Sequence, residues 1–555
     1  MRGDPVRGEK PRMTKVVILG GGVAGMSAAH ELAERGLDVE VHEMRAIAGG
    51  KARSIWVPGS GTGGRHDLPG EHGFRFFPGF YRHLPDTMRR IPFPGNVNGV
   101  ADNLVQATRF QIARDHGDDP VLVARFPRSL DEWYEAVRAI LEARLGIPPR
   151  EAIFFAIRIL ELLTSCDERR LGELEKVAWW DFTQAARMSL PYRTYLVIGL
   201  TRSLVAMRAE EGSTRTVGTI LIQLLLDLLE PEGTLDRLLS GPTSEVWLEP
   251  WRAHLASLGV AYHTEHEVVG IDVAGGGISS VTIEKSDGTT FTTTGDYYVS
   301  CLPVERMVAL LTPAMIALDP GLDLLRRLQT EWMNGIQFFL ADDVPLVHGH
   351  TIYADSPWAL TSISQAQFWR RSLSGYGDGT IRGVLSVDVS DWETPGILFH
   401  KPAKELATKD EVKDEVWAQV LRSFSPEVAS RLSGSMRSWF LDDSIVWPNP
   451  NTVENLEPLL VNTIDSWRDR PESKTRIPNL FLASDYVRTH TDLATMEAAN
   501  EAARRATNHV LDAIASPGPR CGVWPLEEPA CFVPFKVVDQ WRYRQGRPNL
   551  FHRCG

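Results

Sequence analysis

Lys15-Val16-Val17-Ile18-Leu19-Gly20-Gly21-Gly22-Val23-Ala24-Gly25 is the stretch that decides the fold of this 555-residue chain. Its apolar run predicts a buried strand, and the G-x-G-x-x-G spacing predicts a tight turn into a helix over about residues 23–35. A second apolar run, residues 38–43, completes a strand–helix–strand unit. Such a unit places its strands in parallel with the helix packed on the sheet, so the sequence predicts an α/β protein.

Each glycine of the turn has its own physical role. Gly20 permits the tight turn, Gly22 lets the backbone approach a pyrophosphate, and Gly25 lets helix and strand pack closely. The helix start at Val23-Ala24 supplies unpaired N–H groups and a favourable dipole for phosphate charge. Glu43 lies 23 residues after Gly20, where an acid can bond a ribose hydroxyl. The pattern therefore predicts a dinucleotide site.

Bulk composition excludes several classes of protein. Hydrophobic residues make up 43% and charged residues 23%, as in ordinary globular proteins, and the length suggests about two to four domains. The net charge of −12 gives no electrostatic basis for a nucleic-acid partner. The longest apolar stretches, residues 152–164, 192–207 and 216–229, fall short of a membrane span. We interpret them as core helices of a substrate domain, with peripheral contact with a membrane surface as the alternative.

The cysteines and the first residues indicate a cytoplasmic protein. Five cysteines show no paired ligand spacing, which is typical of reduced thiols rather than of disulfides or a zinc site. Residues 1–12 are charged, contain Pro and Gly, and lack the apolar core of a secretory signal, so we expect a disordered N-terminus. The five are Cys166, Cys301, Cys521, Cys531 and Cys554.

A second decisive segment lies about 460 residues further on, where residues 479–486 (NLFLASDY) lead into residues 492–497 (DLATME). Together with residues 43–53 (EMRAIAGGKAR), it resembles the superfamily of FAD-dependent phytoene desaturases and flavin-containing amine oxidases. Residues 71–81 (EHGFRFFPGFY) are similar to the matching segment of carotenoid desaturases and hydroxysqualene dehydroxylases. The resemblance covers most of residues 14–512, is strongest at both ends, and implies FAD as the cofactor.

The order of segments along the chain also indicates the domain organisation. We expect a discontinuous Rossmann-like FAD-binding domain that is interrupted by a mixed-sheet and helical substrate domain. The FAD-binding domain is predicted at residues 13–95, 240–320 and 470–515, and the substrate domain with its helical insert at residues 96–239 and 321–469. Residues 516–555 are predicted to form a C-terminal tail packed on the surface.

Cofactor contacts follow from the same resemblance. In the family, a second glycine pair and the basic residues beside it lie along the pyrophosphate and the flavin end of FAD. In this chain the pair is Gly49-Gly50. Val268 takes the place of the backbone contact to adenine, and Asp485 that of the acid near the ribityl and phosphate groups. Met496, after Thr495, would offer its N–H to the flavin pyrimidine carbonyl. Ser484, Ala498 and Ala503 stand where the family usually has Gly. The loop contacts are Met44, Arg45, Gly49, Gly50, Lys51 and Arg53.

Two positions bear on the reaction. Amine oxidases of this superfamily typically have a lysine beneath the flavin and an aromatic residue before the Met-Glu pair, whereas this chain has Asn334 and Thr495 there. Both absences favour a desaturase-like enzyme that transfers a hydride from a hydrophobic, isoprenoid or carotenoid-type substrate to flavin N5. The alternatives are a hydroxysqualene dehydroxylase-like enzyme, an amine oxidase and a non-catalytic flavin protein.

Few polar residues are candidates for catalysis. Arg75 and Tyr81 follow the flavin loop and are candidates to face the ring, with a structural ion pair as the alternative for Arg75. Asn334 is a third weak candidate. Asp388 and Asp391, at a predicted strand end, are candidates for an acid or base, and solvated loop carboxylates are the alternative. Nothing in the sequence specifies the electron acceptor.

Overall fold

The computed structural model describes residues 13–115, 117, 120–123, 145–199, 201–202, 206–229, 233–449 and 452–552. The predicted disordered segment 1–12, part of the predicted helical insert and Cys554 lie outside the described residues. The remaining four cysteines are free thiols, as expected.

The first strand, Lys15–Leu19, lies in the middle of a five-stranded parallel sheet. Val16, Val17 and Ile18 are fully buried because helices and strands cover both faces of the sheet, which explains the unbroken apolar run. The glycine turn leads into the helix Val23–Ala33, which packs against Met496–Ala513 near the other end of the chain. The strand order is Leu480–Leu482, Tyr297–Ser300, Lys15–Leu19, Asp38–His42 and Ala261–His263.

A seven-stranded mixed sheet forms the second layer of the molecule. Its central strands are buried along their whole length, and every pairing is antiparallel except that of His350–Tyr353 with Arg109–Ala113. The order is Met436–Leu441, Asn334–Leu340, Gly383–Val389, Thr361–Ser364, His350–Tyr353, Arg109–Ala113 and Val121–Val123.

Smaller sheets flank these two. A three-stranded antiparallel sheet contains His266–Ala274, Gly277–Lys285 and Thr290–Thr293. Two-stranded pairs are Gln329–Glu331 with Leu459–Val461, Ile445–Asn449 with Thr452–Asn455, Leu104–Gln106 with Arg237–Leu239, and Ser54–Val57 with Leu68–Glu71.

Helices account for much of the chain between the sheets. None of the helices in the described ranges is long and apolar enough to cross a membrane. The α- and π-helices not yet given are His83–Arg90, Pro149–Thr164, Asp167–Gly172, Trp179–Phe182, Leu190–Tyr192, Arg193–Ile198, Thr214–Leu229, Ser244–Leu248, Glu249–Ser257, Val304–Leu310, Pro313–Leu318, Lys409–Arg422, Pro426–Ser435 and Val533–Arg544. Short 3₁₀ turns are Gly50–Ala52, Gly99–Asn103, Leu174–Lys176, Ala185–Arg187, Pro320–Arg327, Gln365–Phe368, Leu373–Gly375, Ala403–Glu405, Ser466–Asp469 and Ala530–Phe532.

Two segments are more regular than the sequence indicated. Residues 45–81 are rich in Gly and Pro, which is typical of an irregular loop, yet Ser54–Val57 and Leu68–Glu71 form a hairpin that buries Ile55 and Leu68. The C-terminal tail contains the helix Val533–Arg544, which is attached to the body by a buried Arg169–Asp539 ion pair of 2.9 Å.

Candidate functional site

A cavity of about 520 Å³ lies between the parallel sheet and the seven-stranded sheet, in the size range of cofactor and ligand sites. It opens at the carboxyl ends of the first two parallel strands, where ligands bind in folds of this kind. Sixteen of the residues proposed from the sequence line it: Gly20, Gly22, Val23, Ala24, Glu43, Met44, Arg45, Gly49, Gly50, Lys51, Arg75, Tyr81, Val268, Asp485, Thr495 and Met496.

Two glycine-rich loops meet at the start of the helix Val23–Ala33. The Gly49 N–H donates to the Gly21 carbonyl at 3.0 Å, and a Cβ on Gly50 would lie 2.9 Å from the Cα of Gly22. Gly22 is the N-cap and offers no side-chain bond, so the first N–H groups of the helix are open to the cavity. Bare backbone and helix N-terminus together fit a pyrophosphate.

Gly25 lies outside the cavity lining and has a packing role. A Cβ there would come within 1.9 Å of the Gly20 carbonyl oxygen. Gly20 in turn has a φ of +95°, and its N–H donates to the His42 carbonyl at 2.9 Å. Helix, turn and strand are thus in backbone contact at these two glycines.

Glu43 is held by the backbone of the same loops. Its two carboxylate oxygens accept the N–H groups of Gly21 at 2.8 Å and Arg45 at 2.9 Å. Burial raises the pKa of Glu43. Val268, on the strand His266–Ala274, lines the same cavity. Glu43 and the residue predicted to contact adenine are therefore part of one site.

The basic residues of the loop are paired with acids from distant segments. Arg45 and Arg53 both bond Glu457, each at 2.9 Å, and Lys51 bonds Glu305 at 3.2 Å. Arg53 is almost fully buried and, unlike Arg45 and Lys51, does not line the cavity. Glu457 was missed by sequence reasoning because no local motif marks a residue about 400 positions from its partners.

Arg470, also missed, shapes the loop that follows the last parallel strand. Its buried guanidinium donates to the carbonyls of Asp485 at 3.0 Å, Tyr486 at 3.0 Å and Val487 at 2.7 Å. It also pairs with Asp492 at 2.5 Å. One side chain therefore holds the turn that presents Asp485 to the cavity.

The helix Met496–Ala513 begins at the cavity. The Thr495 hydroxyl accepts the N–H of Ala498 at 3.1 Å, which leaves the N–H of Met496 without an intrahelical partner. The Glu497 carboxylate turns away and accepts the backbone N–H groups of His83 and Leu84, at 2.7 and 2.8 Å. The Met-Glu pair thus offers a donor to the site and anchors a neighbouring helix.

Arg75, Tyr81 and Asp388 line the cavity, but Asn334 does not. Asn334 is fully buried and donates to Asp442 at 2.5 Å, so its neighbour Met333 is the residue of this segment that lines the cavity.

The buried carboxyl groups near the cavity differ in pKa. Burial alone would raise the pKa of Asp442, but the imidazole of His72 and the bond from Asn334 lower it to about 2. Burial raises the pKa of Asp388 to about 7. Asp391 lies outside the cavity lining and pairs with Arg202 at 2.5 Å.

Comparison with known proteins now decides the family. The model of the family described as flavin containing amine oxidoreductase matches residues 23–511. The chain belongs to this family. It is therefore an FAD-dependent oxidoreductase, and FAD is the cofactor that the glycine loops and the uncapped helix start suit, as the resemblance implied.

Relatives and solved structures agree with this assignment. The chain is 24% identical over 511 residues to a 15-cis-phytoene desaturase of an Oncidium hybrid cultivar, covering 89% of this chain and 77% of that protein. It is 23% identical over 503 residues to the 15-cis-phytoene desaturase of Synechococcus elongatus, covering 87% and 93%. A putrescine oxidase structure superposes with a TM-score of 0.60 at 12% identity, covering 91% and 99% of the two chains. The predicted fold class is thus confirmed.

Proposed function

We propose that this member of the family oxidises a hydrophobic, isoprenoid or carotenoid-type substrate in a desaturase-like reaction. When bound, FAD supplies the two-electron acceptor for a hydride lost from the substrate. The observation that carries the proposal is the wall of the cavity formed by Phe74, Phe76, Tyr81 and Met333, which suits an apolar molecule. Relatives named as phytoene desaturases support it.

We assign the holding of FAD to the backbone and side chains that line the cavity. Gly22 and Gly50, with the start of the helix at Val23, would hold the pyrophosphate, and Glu43 would bond the ribose. The N–H of Met496 would donate to the flavin pyrimidine, at the positive end of the helix dipole. The remaining assignments are those of the sequence-based prediction, except that Gly25 and Arg53 act from behind the lining.

Amine oxidation is the less favoured alternative. Lys51 is the only lysine among the described residues that line the cavity, and its ammonium group is already paired with Glu305. Met333 and Thr495 provide neither the lysine nor the aromatic residue of an amine site. A dehydroxylase-like reaction is the second candidate, because the polar pair Arg75 and Asp388 stands beside the apolar wall.

The test is anaerobic reduction of the bound flavin by a panel of substrates. Isoprenoid hydrocarbons should bleach the flavin, whereas amines should not, and no peroxide should form from amines in air. Bleaching by amines alone would contradict the proposal. Met333→Lys tests the pocket itself, since a charged group in the apolar wall should abolish reduction by hydrocarbons while an Arg326→Met control, at an exposed site, should not.

We further propose that the protein meets its substrate at an anionic membrane surface through the helix Val533–Arg544. Val533, Val537 and Trp541 are all at least half exposed on one face, and the exposed Arg547 stacks on Trp541, whereas Lys536 is paired with Glu528 at 2.7 Å. The acid of this helix, Asp539, is buried against Arg169, so the exposed surface combines apolar and basic groups, as interfacial helices do.

Vesicle sedimentation tests this surface. The protein should bind phosphatidylglycerol vesicles more than phosphatidylcholine vesicles, and a Val537→Asp/Trp541→Asp double variant should lose binding. Val97→Asp, at a 93% exposed apolar residue elsewhere, is the matched control. Equal sedimentation of the double variant and the control would refute membrane binding through this helix. Self-association through the helix in solution, without vesicle binding, would refute it as well.

A further inference from the structure

Residues 519–528 of the C-terminal tail form a strap across the helices that meet the cavity. The Arg35 guanidinium donates to the carbonyl of Pro519 at 2.8 Å. The Asn508 amide makes two bonds to the backbone of Cys521, accepting its N–H at 2.6 Å and donating to its carbonyl at 3.1 Å. One end of this C-terminal strap is therefore fastened to the FAD-binding part of the chain.

The other end of the C-terminal strap is fastened to the predicted substrate domain. Gln223 donates to the carbonyl of Glu527 at 2.9 Å, and Arg170 pairs with the carboxylate of Glu528 at 3.0 Å. Because the strap is anchored at both ends, the residues between the anchors have a fixed position relative to both domains.

The middle of the strap reaches the flavin end of the cavity through one buried side chain. The N–H of Trp524 donates to Nε2 of His83 at 2.9 Å, and Nδ1 of His83 bonds the Glu497 carboxylate at 2.8 Å. Since a backbone N–H can only donate, Nε2 is the acceptor, and His83 is a neutral ring that donates from Nδ1. Glu497 directly follows Met496, whose N–H is open to the cavity.

A second chain of bonds leads from the strap to the pyrophosphate end. Arg504 donates to the carbonyl of Gly522 at 3.2 Å and to the Asn500 side chain at 2.9 Å. Asn500 donates to the hydroxyl of Ser27 at 2.8 Å, and this hydroxyl donates to the carbonyl of Val23 at 2.6 Å. Val23 begins the helix whose first N–H groups are open to the cavity.

Burial makes these chains of bonds stiff. The side chains of Ser27, His83, Asn500 and Arg504 are almost fully enclosed, so water cannot replace a bond that is lost. A displacement of the strap is therefore passed on to the two helix starts, and a binding site tolerates displacements of only about 0.5 Å.

We propose that the C-terminal strap is part of the cofactor site. Through His83 it positions the N–H of Met496 at the flavin ring, and through Asn500 and Ser27 it positions the helix start at the pyrophosphate. This proposal rests on the proposed holding of FAD by Val23 and Met496 and is independent of the substrate. His83, Asn500 and Ser27 are positioning residues, because none of them is among the described residues that line the cavity.

The two chains predict different effects on the flavin. A helix start at the ring stabilises charge on the reduced flavin, so a misplaced Met496 weakens binding of the reduced form more than binding of the oxidised form and lowers the reduction potential. The pyrophosphate carries the same charge in both redox states. A change at Val23 therefore weakens both forms equally and leaves the potential unchanged.

The experiment measures the dissociation constant and the reduction potential of the bound flavin in full-length variants. Trp524→Pro removes the N–H that bonds His83. It should weaken binding of the oxidised flavin by about tenfold. The preference for reduced over oxidised flavin should also fall by about tenfold, which is about 30 mV for a two-electron couple. Trp524→Phe keeps the N–H and an aromatic ring between Arg82 and Arg504, so it should restore the potential.

Ser27→Ala tests the second chain. It should weaken flavin binding by about tenfold without a change in potential. The matched control is Asn549→Ala, which removes a buried bond to Asp539 of 2.9 Å from the same tail but lies on neither chain. It should lower the free energy of unfolding and leave both flavin properties unchanged.

His83→Asn keeps the test decisive if Trp524→Pro does not fold. Its amide retains the donor to Glu497 but has no acceptor for the N–H of Trp524, so it should reproduce the fall in potential. Wild-type potential and affinity in Trp524→Pro or His83→Asn would overturn the proposal, and so would an equal fall in Asn549→Ala. If the potential falls as expected but no isoprenoid reduces the flavin, the strap stands and the proposed function is wrong.

Discussion

Substitution of Gly22 and Gly25 separates cofactor binding from folding. At Gly25, an added Cβ would lie 1.9 Å from the Gly20 oxygen, whereas real Cβ contacts stay beyond 3.0 Å. The helix Val23–Ala33 must therefore move about 1.1 Å (3.0 − 1.9) away from a turn fixed by the Gly20–His42 bond, and overpacking of this kind costs about 1–3 kcal/mol.

At Gly22 the protein itself leaves room. The nearest atom to an added Cβ is the Cα of Gly50 at 3.7 Å, an ordinary contact, and the backbone at Gly22 is extended. Gly22→Ala should therefore leave the free energy of unfolding of the polypeptide unchanged within about 0.5 kcal/mol. The methyl group instead enters the space of the pyrophosphate, so flavin affinity should fall by about tenfold or more.

Flavin content and thermal unfolding with and without added FAD distinguish the two variants. Gly25→Ala should lower the unfolding temperature even with FAD in excess. Gly22→Ala should reduce only the rise in unfolding temperature that added FAD produces. Gly434→Ala, at a helical glycine with open space around it, is the control and should be neutral or slightly stabilising. Full flavin occupancy in Gly22→Ala would refute the assignment of the pyrophosphate to this turn.

Three further results are expected. Asp442 has a folded pKa of about 2 against an ordinary 3.8, so its ionised form adds about 2 kcal/mol to the free energy of unfolding above pH of about 4. This contribution is lost as pH falls towards about 2, so the stability of Asp442→Asn should depend less on pH in acid denaturation. Asp388, with its pKa raised to about 7, binds more protons folded than unfolded, so stability falls as pH rises from about 4 to about 7; Asp388→Asn should gain more stability at pH of about 8 than at about 5 in thermal melts. Arg470→Met should lower the free energy of unfolding by about 3–5 kcal/mol in denaturant titrations and should lower flavin content, because it frees the loop that carries Asp485 and removes one partner of Asp492. Arg468→Met, at a side chain that is 65% exposed, is the control and should change neither.

The parts that the sequence predicted are those whose chemistry depends on backbone geometry. Gly20 and Gly22 fall at fixed spacing after an apolar strand, because glycine is the residue type that permits the tight turn and the close approach of the backbone to a pyrophosphate. Met496 is recognised in the same way, since a helix start after a strand end is a local pattern. These segments needed no knowledge of distant contacts.

Partners distant in sequence escaped prediction. Glu457 and Arg470 hold the flavin loop and the Asp485 turn, yet both sit in segments without a distinguishing pattern. Asn334 shows a different cause: successive residues of an extended chain point to opposite sides, so an offset of one residue exchanges Asn334 for Met333 at the cavity. The hairpin from Ser54 to Glu71 was hidden by its glycines and prolines.

The placement of Leu480–Leu482 in the five-stranded sheet also determines when the enzyme can become active during its synthesis. This strand pairs directly with Tyr297–Ser300, two strands away from the site's Gly22 loop, and the Glu497 carboxylate holds the residues around His83. A ribosome must therefore produce more than 490 residues before both halves of the site exist. Until then the first glycine loop lacks the closing helix Met496–Ala513, so we expect FAD to bind late in synthesis, after the N-terminal part has been made.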